Sequence, residues 1–317
     1  MKIVMLEPLA INNATLEQLS EGLKKKGHEF IAYDSVTNDV NELKARIDDA
    51  EAIIIANHPL PGEVIKAAPN LKFISVAFTG VDHIDIDACR EKNIKVSNAA
   101  GYSTQAVAEL VIGMIISKLR NIVECNSAAR EGKTKDGLVG SELSGKTVGI
   151  IGTGAIGLRT AQLLKAFGCN LLGYSKTEKE EAKKLGIKYV SLDELLRSSD
   201  IITLHTPLNK ETRFLINSNN IGLMKPNAIL INCARGQVID IAAVAHALNE
   251  GKIAGAAIDV FEIEPPLQED HVLISAKNTL LTPHVAFATH ESMIRRARIT
   301  FDNIYAWLNG EQINKII

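Results

Sequence analysis

Three short runs in the second half of the 317-residue sequence carry side chains able to handle a carbonyl group next to a carboxylate. Cys233-Ala234-Arg235-Gly236 follows the apolar run 228–232, Asp259 follows 254–258 with Glu264-Pro265 beyond it, and Pro283-His284 follows 280–282. A guanidinium suits bidentate recognition of a planar carboxylate. Imidazole is the side chain best able to exchange a proton near neutrality, and a carboxylate beside it favours its charged form. Arg235, Glu264 and His284 together therefore suit hydride transfer coupled to proton transfer. Each alone has a plainer reading, as a surface ion pair, a solvated acid and a packed loop residue.

A nucleotide signal accompanies them. Gly152-Thr153-Gly154-Ala155-Ile156-Gly157 directly follows the strand pattern 147–151 and opens a helical pattern that runs to Phe167. This spacing permits a tight turn, close approach of a pyrophosphate and close helix–strand packing, while the helix start supplies amides and partial positive charge. His205-Thr206-Pro207 follows the run 201–204 in the same way. An NAD site usually carries an acidic residue about 20 residues on, at the end of the next strand. Here that position reads Ser175-Lys176-Thr177, with Ser175 18 residues after Gly157. Ser175 and Thr177 can donate to a 2′-phosphate and Lys176 can pair with its charge. The expected coenzyme is NADP(H) over NAD(H); the alternative is a solvated loop with NAD held through its ribose.

The scaffold follows from patterning. Strand-length apolar runs at 2–6, 29–33, 52–56, 71–77 and 94–97 form one series. Runs at 147–151, 170–174, 188–190, 201–205, 228–232, 254–259 and 279–282 form a second. Many lack polar alternation, as strands buried on both faces should, and helical patterns separate them. The fold class is therefore α/β, with two parallel sheets and right-handed crossovers, in which ligands bind outside the carboxyl ends of the strands. The series join near Asn98-Ala99-Ala100-Gly101-Tyr102-Ser103. One helix is expected over 104–130, its stripe of Val107, Leu110, Val111, Met114 and Ile115 packing between domains or against a second subunit. A final helix over 291–308 could return to the first domain. Two domains also agree with 317 residues at about 150 per domain.

Composition excludes several function classes. With 35 Lys+Arg against 37 Asp+Glu, the chain lacks the basic footprint of a nucleic-acid binder, and 14 aromatics make a poor base-stacking surface. The apolar stretch 106–116 carries Glu109 and falls short of the roughly 20 residues of a membrane span. The opening run is too short for a signal-peptide core. Cys89, Cys125, Cys169 and Cys233 form no CxxC or CxxH pattern, so neither a disulfide framework nor a metal site is expected, and a reducing cytoplasm fits.

Over nearly its whole length the chain resembles the D-isomer-specific 2-hydroxyacid dehydrogenases. The resemblance rests on Thr79-Gly80-Val81-Asp82-His83-Ile84-Asp85, Val107-Ala108-Glu109-Leu110, 152–157, His205-Thr206-Pro207-Leu208, Asn232-Cys233-Ala234-Arg235-Gly236, 259–265 and Thr282-Pro283-His284. It implies Arg235 as binder of the substrate carboxylate and carbonyl, and His284 as proton donor with Glu264 paired to it. Thr79, Gly80 and Val81 would meet the carboxylate, the last two through backbone amides, and Asn57 and His58 the substrate's variable group. Thr104, Gly152, Gly154, Ala155, Ile156, Gly157, His205, Thr206, Pro207, Cys233, Ala234 and Asp259 match cofactor-contacting positions, Asp259 near the nicotinamide carboxamide. The architecture it implies is doubly wound twice over. Residues 1–99 plus 286–317 would form a flavodoxin-like substrate domain and 100–285 a Rossmann dinucleotide-binding domain, with the long helix making a homodimer.

Two departures bear on specificity. Ser175 replaces the acidic residue, and Val285-Ala286-Phe287-Ala288-Thr289 stands where many members carry Gly-Ser, which looks more like the lactate or glycerate branches than phosphoglycerate dehydrogenase. The chain stops soon after its last helix, so serine feedback through a regulatory domain is not expected. The leading expectation is reduction of glyoxylate or hydroxypyruvate, followed by pyruvate and bulkier 2-oxoacids. The alternatives are a D-lactate or other 2-hydroxyacid dehydrogenase, a non-catalytic nucleotide-sensing corepressor-like protein, and an enzyme acting on formate or phosphite. Retention of Arg235, Glu264 and His284 together favours catalysis.

Overall fold

The computed structural model describes residues 1–263 and 266–317. It divides into two compact units, Met1–Ser103 with Ala288–Ile317, and Thr104–Phe287.

The first unit holds β1 (Lys2–Met5), α1 (Asn13–Lys25), β2 (Glu29–Ala32), α2 (Val40–Ile47), β3 (Ala52–Ile55), α3 (Gly62–Ala67), β4 (Phe73–Val76), α4 (Ile86–Glu91) and β5 (Lys95–Asn98). Its five strands are parallel in the order β2-β1-β3-β4-β5. β3 reads Ala-Ile-Ile-Ile and is buried at every position, as a central strand covered on both faces must be. β2, at the edge, is only partly covered. The helix His290–Leu308 completes this unit. It starts at a reciprocal cap between Thr289 and Ser292, packs on β4 and β5 and is tied there by polar bonds. Ser75 Oγ donates to Thr300 O at 2.9 Å and Asn303 Nδ2 to Asn98 O at 2.9 Å. Trp307 stacks on Phe73 with ring centroids 5.2 Å apart.

The second unit holds α5 (Thr104–Leu119), α6 (Ile122–Arg130), β6 (Thr147–Ile151), α7 (Ala155–Ala166), β7 (Asn170–Tyr174), α8 (Glu180–Lys184), β8 (Lys188–Tyr189), α9 (Leu192–Ser198), β9 (Ile201–Leu204), β10 (Ile229–Asn232), α10 (Ile241–Asn249), β11 (Gly255–Ile258), α11 (Val272–Ser275) and β12 (Thr279–Leu281). Its seven strands are parallel in the order β12-β11-β10-β9-β6-β7-β8. Strand order reverses beside β6, whose neighbours are β7 and β9. That reversal is the switch point at which open α/β sheets bind ligands. Both sheets are thus parallel, as the patterning implies, and doubly wound, as the family resemblance implies.

The expected single helix over 104–130 is two. Asn121 adopts φ 51°, a left-handed conformation that Asn tolerates better than most residues, and its Nδ2 donates to Leu138 O at 3.2 Å. The apolar stripe on α5 also finds its cover within its own unit. Val107, Val111, Met114 and Ile115 are buried in one core with Ile150, Leu164 and Ile231, and α5 packs on α7, β10 and β11. α6 buries none of its residues. No helix among the described residues is long and apolar enough to cross a membrane.

Candidate active site

Strand register levels the carboxyl ends of the second sheet. Ile151 pairs with Leu204, Leu204 with Asn232, Asn232 with Ile258, and Ile258 with Leu281. The loops starting at Gly152, His205, Cys233, Asp259 and Thr282 therefore leave five adjacent strands side by side. On the other side of β6, Ile151 pairs with Tyr174, so Ser175, Lys176 and Thr177 join the same edge.

The glycine turn is shaped by steric necessity. Gly152 lies at φ +95°, and a Cβ there would come within 2.5 Å of His205 O. A Cβ on Gly157 would come within 2.0 Å of Gly152 O. Gly154 differs, since a Cβ there would meet no atom within 4 Å. Gly154 is the N-cap of α7 and no side chain caps the helix, so the first amides, at Ala155, Ile156 and Gly157, lack intrahelical acceptors. Open space above uncapped amides fits a dinucleotide pyrophosphate. Thr153 Oγ1 lies 2.7 Å from Tyr189 Oη, which accepts from Lys179 N at 3.1 Å, so the turn is tied to the loop after β7. In that loop Ser175 is half-buried and Lys176 and Thr177 are exposed. Lys176 Nζ pairs with both carboxylate oxygens of Glu211, at 3.0 and 3.1 Å. Thr104 opens α5, whose next residue, Gln105, accepts from Arg159 Nε of α7 at 2.7 Å.

The turn that carries Arg235 is braced by Asn232, three residues before it. Asn232 is wholly buried; its Oδ1 accepts from Ala234 N at 3.0 Å and its Nδ2 donates to Arg235 O at 3.0 Å. The chain then passes close to another segment, because a Cβ on Gly236 would sit 2.0 Å from Phe261 O. His284 occupies φ +54°, which costs a non-glycine residue of order 1–3 kcal/mol. The buried Asp259 secures that turn. Its Oδ1 accepts from Thr282 Oγ1 at 2.5 Å and Val285 N at 2.9 Å, its Oδ2 from Ala286 N at 3.0 Å, and its backbone O from His284 N at 2.8 Å. The His284 ring meets Phe287 edge-on, with centroids 5.2 Å apart. Glu264 lies outside the described residues.

Two other groups on this edge are chemically quiet. Burial pushes the His205 imidazole down to about 4, and its Nε2 lies 3.0 Å from Thr203 Oγ1. It is neutral at physiological pH. Burial, aided by the Asp259 carboxylate, pushes the Cys233 thiol well up, and its Sγ lies 3.6 Å from Met114 Sδ. It stays protonated. Thr206 and Ala234 are half-buried and Pro207 is exposed.

The remaining candidates belong to the first unit, at the carboxyl ends of β3 and β4. Asn57 and Thr79 are exposed, and His58, Gly80 and Val81 are half-buried. Asn98 Nδ2 donates to Thr79 O at 2.7 Å. Sequence reasoning missed Glu7, which follows β1. It is buried, and its Oε1 accepts from Ala56 N at 2.7 Å and His58 N at 3.3 Å, while Oε2 meets His58 Nδ1. It also missed Asn232, Tyr189 and Glu211, and the part Asp259 plays in holding His284. Only Asn232 carried a local signal, standing three residues before the arginine.

The model of the D-isomer specific 2-hydroxyacid dehydrogenase NAD-binding domain matches residues 112–286. A hydroxypyruvate reductase of Blautia hydrogenotrophica is 35% identical over 326 residues, covering 100% of this chain and 99% of its own. A glyoxylate reductase of Thermofilum pendens is 42% identical over 278 residues, covering 85% of this chain and 82% of its own. Among solved structures, an acyclic imino acid reductase in complex with NADPH and D-Arg is similar over 100% of both chains, with a TM-score of 0.90 at 29% identity. The chain therefore belongs to the D-isomer-specific 2-hydroxyacid dehydrogenases, as an oxidoreductase that works with a nicotinamide cofactor.

Proposed function

We propose that this enzyme reduces a small 2-oxoacid, glyoxylate or hydroxypyruvate foremost, to the D-2-hydroxyacid, with NADPH preferred over NADH. One observation carries the reading. Level strand ends carry the Arg235 turn and the His284 turn on the same sheet edge as the glycine cradle, with Asp259 at the end of β11, the strand between them. The bound nicotinamide supplies the hydride. Arg235 grips the carboxylate and polarises the neighbouring carbonyl. His284 gives its proton to the carbonyl oxygen as that oxygen becomes a hydroxyl, with Glu264 as the partner that the resemblance implies for it. The backbone amides of Gly80 and Val81 hold the carboxylate, while Asn57 and His58 face the variable group. Thr104, Thr206 and Ala234 contact the coenzyme.

The coenzyme preference is supported by the hydroxyls and cation at 175–177. Lys176 is paired with Glu211, but both side chains are mostly exposed. Such a pair is worth about 0–1 kcal/mol, so a 2′-phosphate can recruit the lysine. A relative at 29% identity was solved with NADPH. A homodimer built through α5 and α6 belongs to the same reading, supported by the half-exposed Ile122 and Val123 of α6. Free thiols at all four cysteines are in keeping with a cytoplasmic enzyme.

Initial rates over a panel of 2-oxoacids with both coenzymes test the proposal. The expected result is turnover of several 2-oxoacids, with the highest kcat/KM for glyoxylate or hydroxypyruvate and NADPH. Tight coenzyme binding without turnover of any 2-oxoacid would replace it with the sensor reading, and a clearly higher kcat/KM with NADH would overturn the coenzyme preference.

A further inference from the structure

We propose that His58 reads the substituent on C3 of the 2-oxoacid, that Glu7 positions it, and that together they select substrates with a hydroxyl there over substrates with a methyl. The inference rests on the reading above, in which the loop at 57–58 faces the variable group.

The first sheet has the order β2-β1-β3-β4-β5, whose switch point lies between β1 and β3. Glu7 follows β1 and His58 follows β3, so the pair stands at that point. Glu7 is 4% exposed. Three N–H groups surround its carboxylate, from the Ala56 and His58 backbones and from the His58 ring. Arg296, also 4% exposed, donates to Leu9 O at 2.9 Å and lends Glu7 a positive neighbour.

This arrangement dictates what the imidazole offers. A carboxylate only accepts hydrogen bonds, so Nδ1 is the nitrogen that carries the proton. Nε2 then stands on the side of the ring away from Glu7, an acceptor in the neutral imidazole and a donor in the charged one. Among the described residues, Nδ1 is the only His58 ring atom with a hydrogen-bond partner. The side chain remains 35% exposed, so Nε2 has room for a ligand group. A C3 hydroxyl can pair with it in either form, as donor or as acceptor. A C3 methyl cannot, and it displaces the water that would otherwise satisfy the nitrogen. A site built to hydrogen-bond a substrate hydroxyl discriminates against the analogue that lacks it. For one part-exposed hydrogen bond the expected discrimination is about tenfold.

The experiment compares kcat/KM for hydroxypyruvate, pyruvate and glyoxylate in the parent enzyme and in His58→Phe, His58→Gln and Glu7→Gln. His58→Phe should lower the hydroxypyruvate-to-pyruvate ratio about tenfold, while glyoxylate, which has no C3, reports whatever loss is common to all substrates. His58→Gln, which restores an acceptor, should recover part of the ratio, and Glu7→Gln should lower it by freeing the ring. Damage to the fold would depress all three substrates together, so the ratio is the readout that a merely structural role leaves unmoved. An unchanged ratio in His58→Phe overturns this inference and leaves 2-oxoacid reduction intact. A parent enzyme that turns over no 2-oxoacid overturns both.

Discussion

Replacing Asp259 by Asn isolates the link between one buried carboxylate and the reactive histidine. In the parent, Oδ1 takes Thr282 Oγ1 and Val285 N, and Oδ2 takes Ala286 N, with Asp259 fully buried. An amide has one acceptor oxygen. With that oxygen at the Oδ1 position, the new NH₂ faces the Ala286 N–H, donor against donor. The lost bond was charge-assisted, worth about 1.5–3 kcal/mol, and the orphaned buried N–H adds a desolvation penalty of about 1–3 kcal/mol. Together they amount to about 4 kcal/mol. At roughly 2–4 °C per kcal/mol for a unit of this size, Tm should fall by about 8–16 °C. The turn also holds His284 at φ +54°, and a weaker clasp lets that residue relax toward ordinary backbone. A misplacement of about 1 Å costs on the order of a hundredfold, so kcat should drop by about that factor. Urea and thermal unfolding read the first effect, steady-state kinetics the second, and coenzyme fluorescence titration separates them from cofactor loss. Native Tm with native kcat would refute the argument. A large rise in coenzyme Kd with unchanged kcat would instead make Asp259 a cofactor ligand and not the keeper of His284.

The glycine turn yields a paired prediction. Gly157→Ala should destabilise severely, because its Cβ would lie 2.0 Å from Gly152 O, whereas Gly154→Ala should fold normally and weaken coenzyme binding, its Cβ entering the open space above the helix start; equal unfolding curves for the two variants would contradict this. Glu211→Gln releases Lys176 and should lower KM for NADPH a few-fold while leaving NADH unaffected, with the difference shrinking at high salt; a parallel change for both coenzymes would count against a 2′-phosphate role for Lys176. The depressed His205 imidazole sets an acid limb. Its folded value of about 4 lies below the ordinary 6.5, so between those values the unfolded chain binds the proton first and stability falls as pH drops. The loss should be at most about 3 kcal/mol, and His205→Gln should remove it, as urea unfolding from about pH 4 to 6.5 would reveal.

Elements with local signatures were legible in the sequence, and contacts across the chain were not. The runs at 147–151 and 170–174 match β6 and β7 end to end because strands inside a parallel sheet are apolar through most of their length, here after a polar first residue. The break at Asn121 escaped notice because the heptad-like stripe on α5 fades gradually into α6, and one residue in a left-handed conformation leaves periodicity almost intact. Glu7 escaped for a different reason. Nothing near the Glu-Pro pair announces that its carboxylate will be buried against a loop 51 residues away, a meeting created by the pairing of β1 with β3. Arg235 and His284 were visible because each follows an apolar run that has to be a strand, and strand ends on one edge have to be neighbours.

The two sheets solve one positioning problem with the same device. In the first, a buried Glu7 after β1 accepts two backbone amides and fixes the loop that carries His58. In the second, a buried Asp259 after β11 accepts two backbone amides and a hydroxyl and fixes the turn that carries His284. A carboxylate suits this task better than any other side chain. Its two oxygens accept about four hydrogen bonds, and a loop beyond a strand end presents donors that have no ladder partner. An amide would supply half the acceptors and a hydroxyl would compete as donor. Burying the charge is costly unless donors surround it, so the carboxylate stays only while the loop keeps its shape. Each acid thus makes the loop's conformation and its own burial depend on one another, which gives a short irregular segment the positional definition of a regular element. A histidine on such a loop keeps a fixed ring orientation without belonging to a helix or strand.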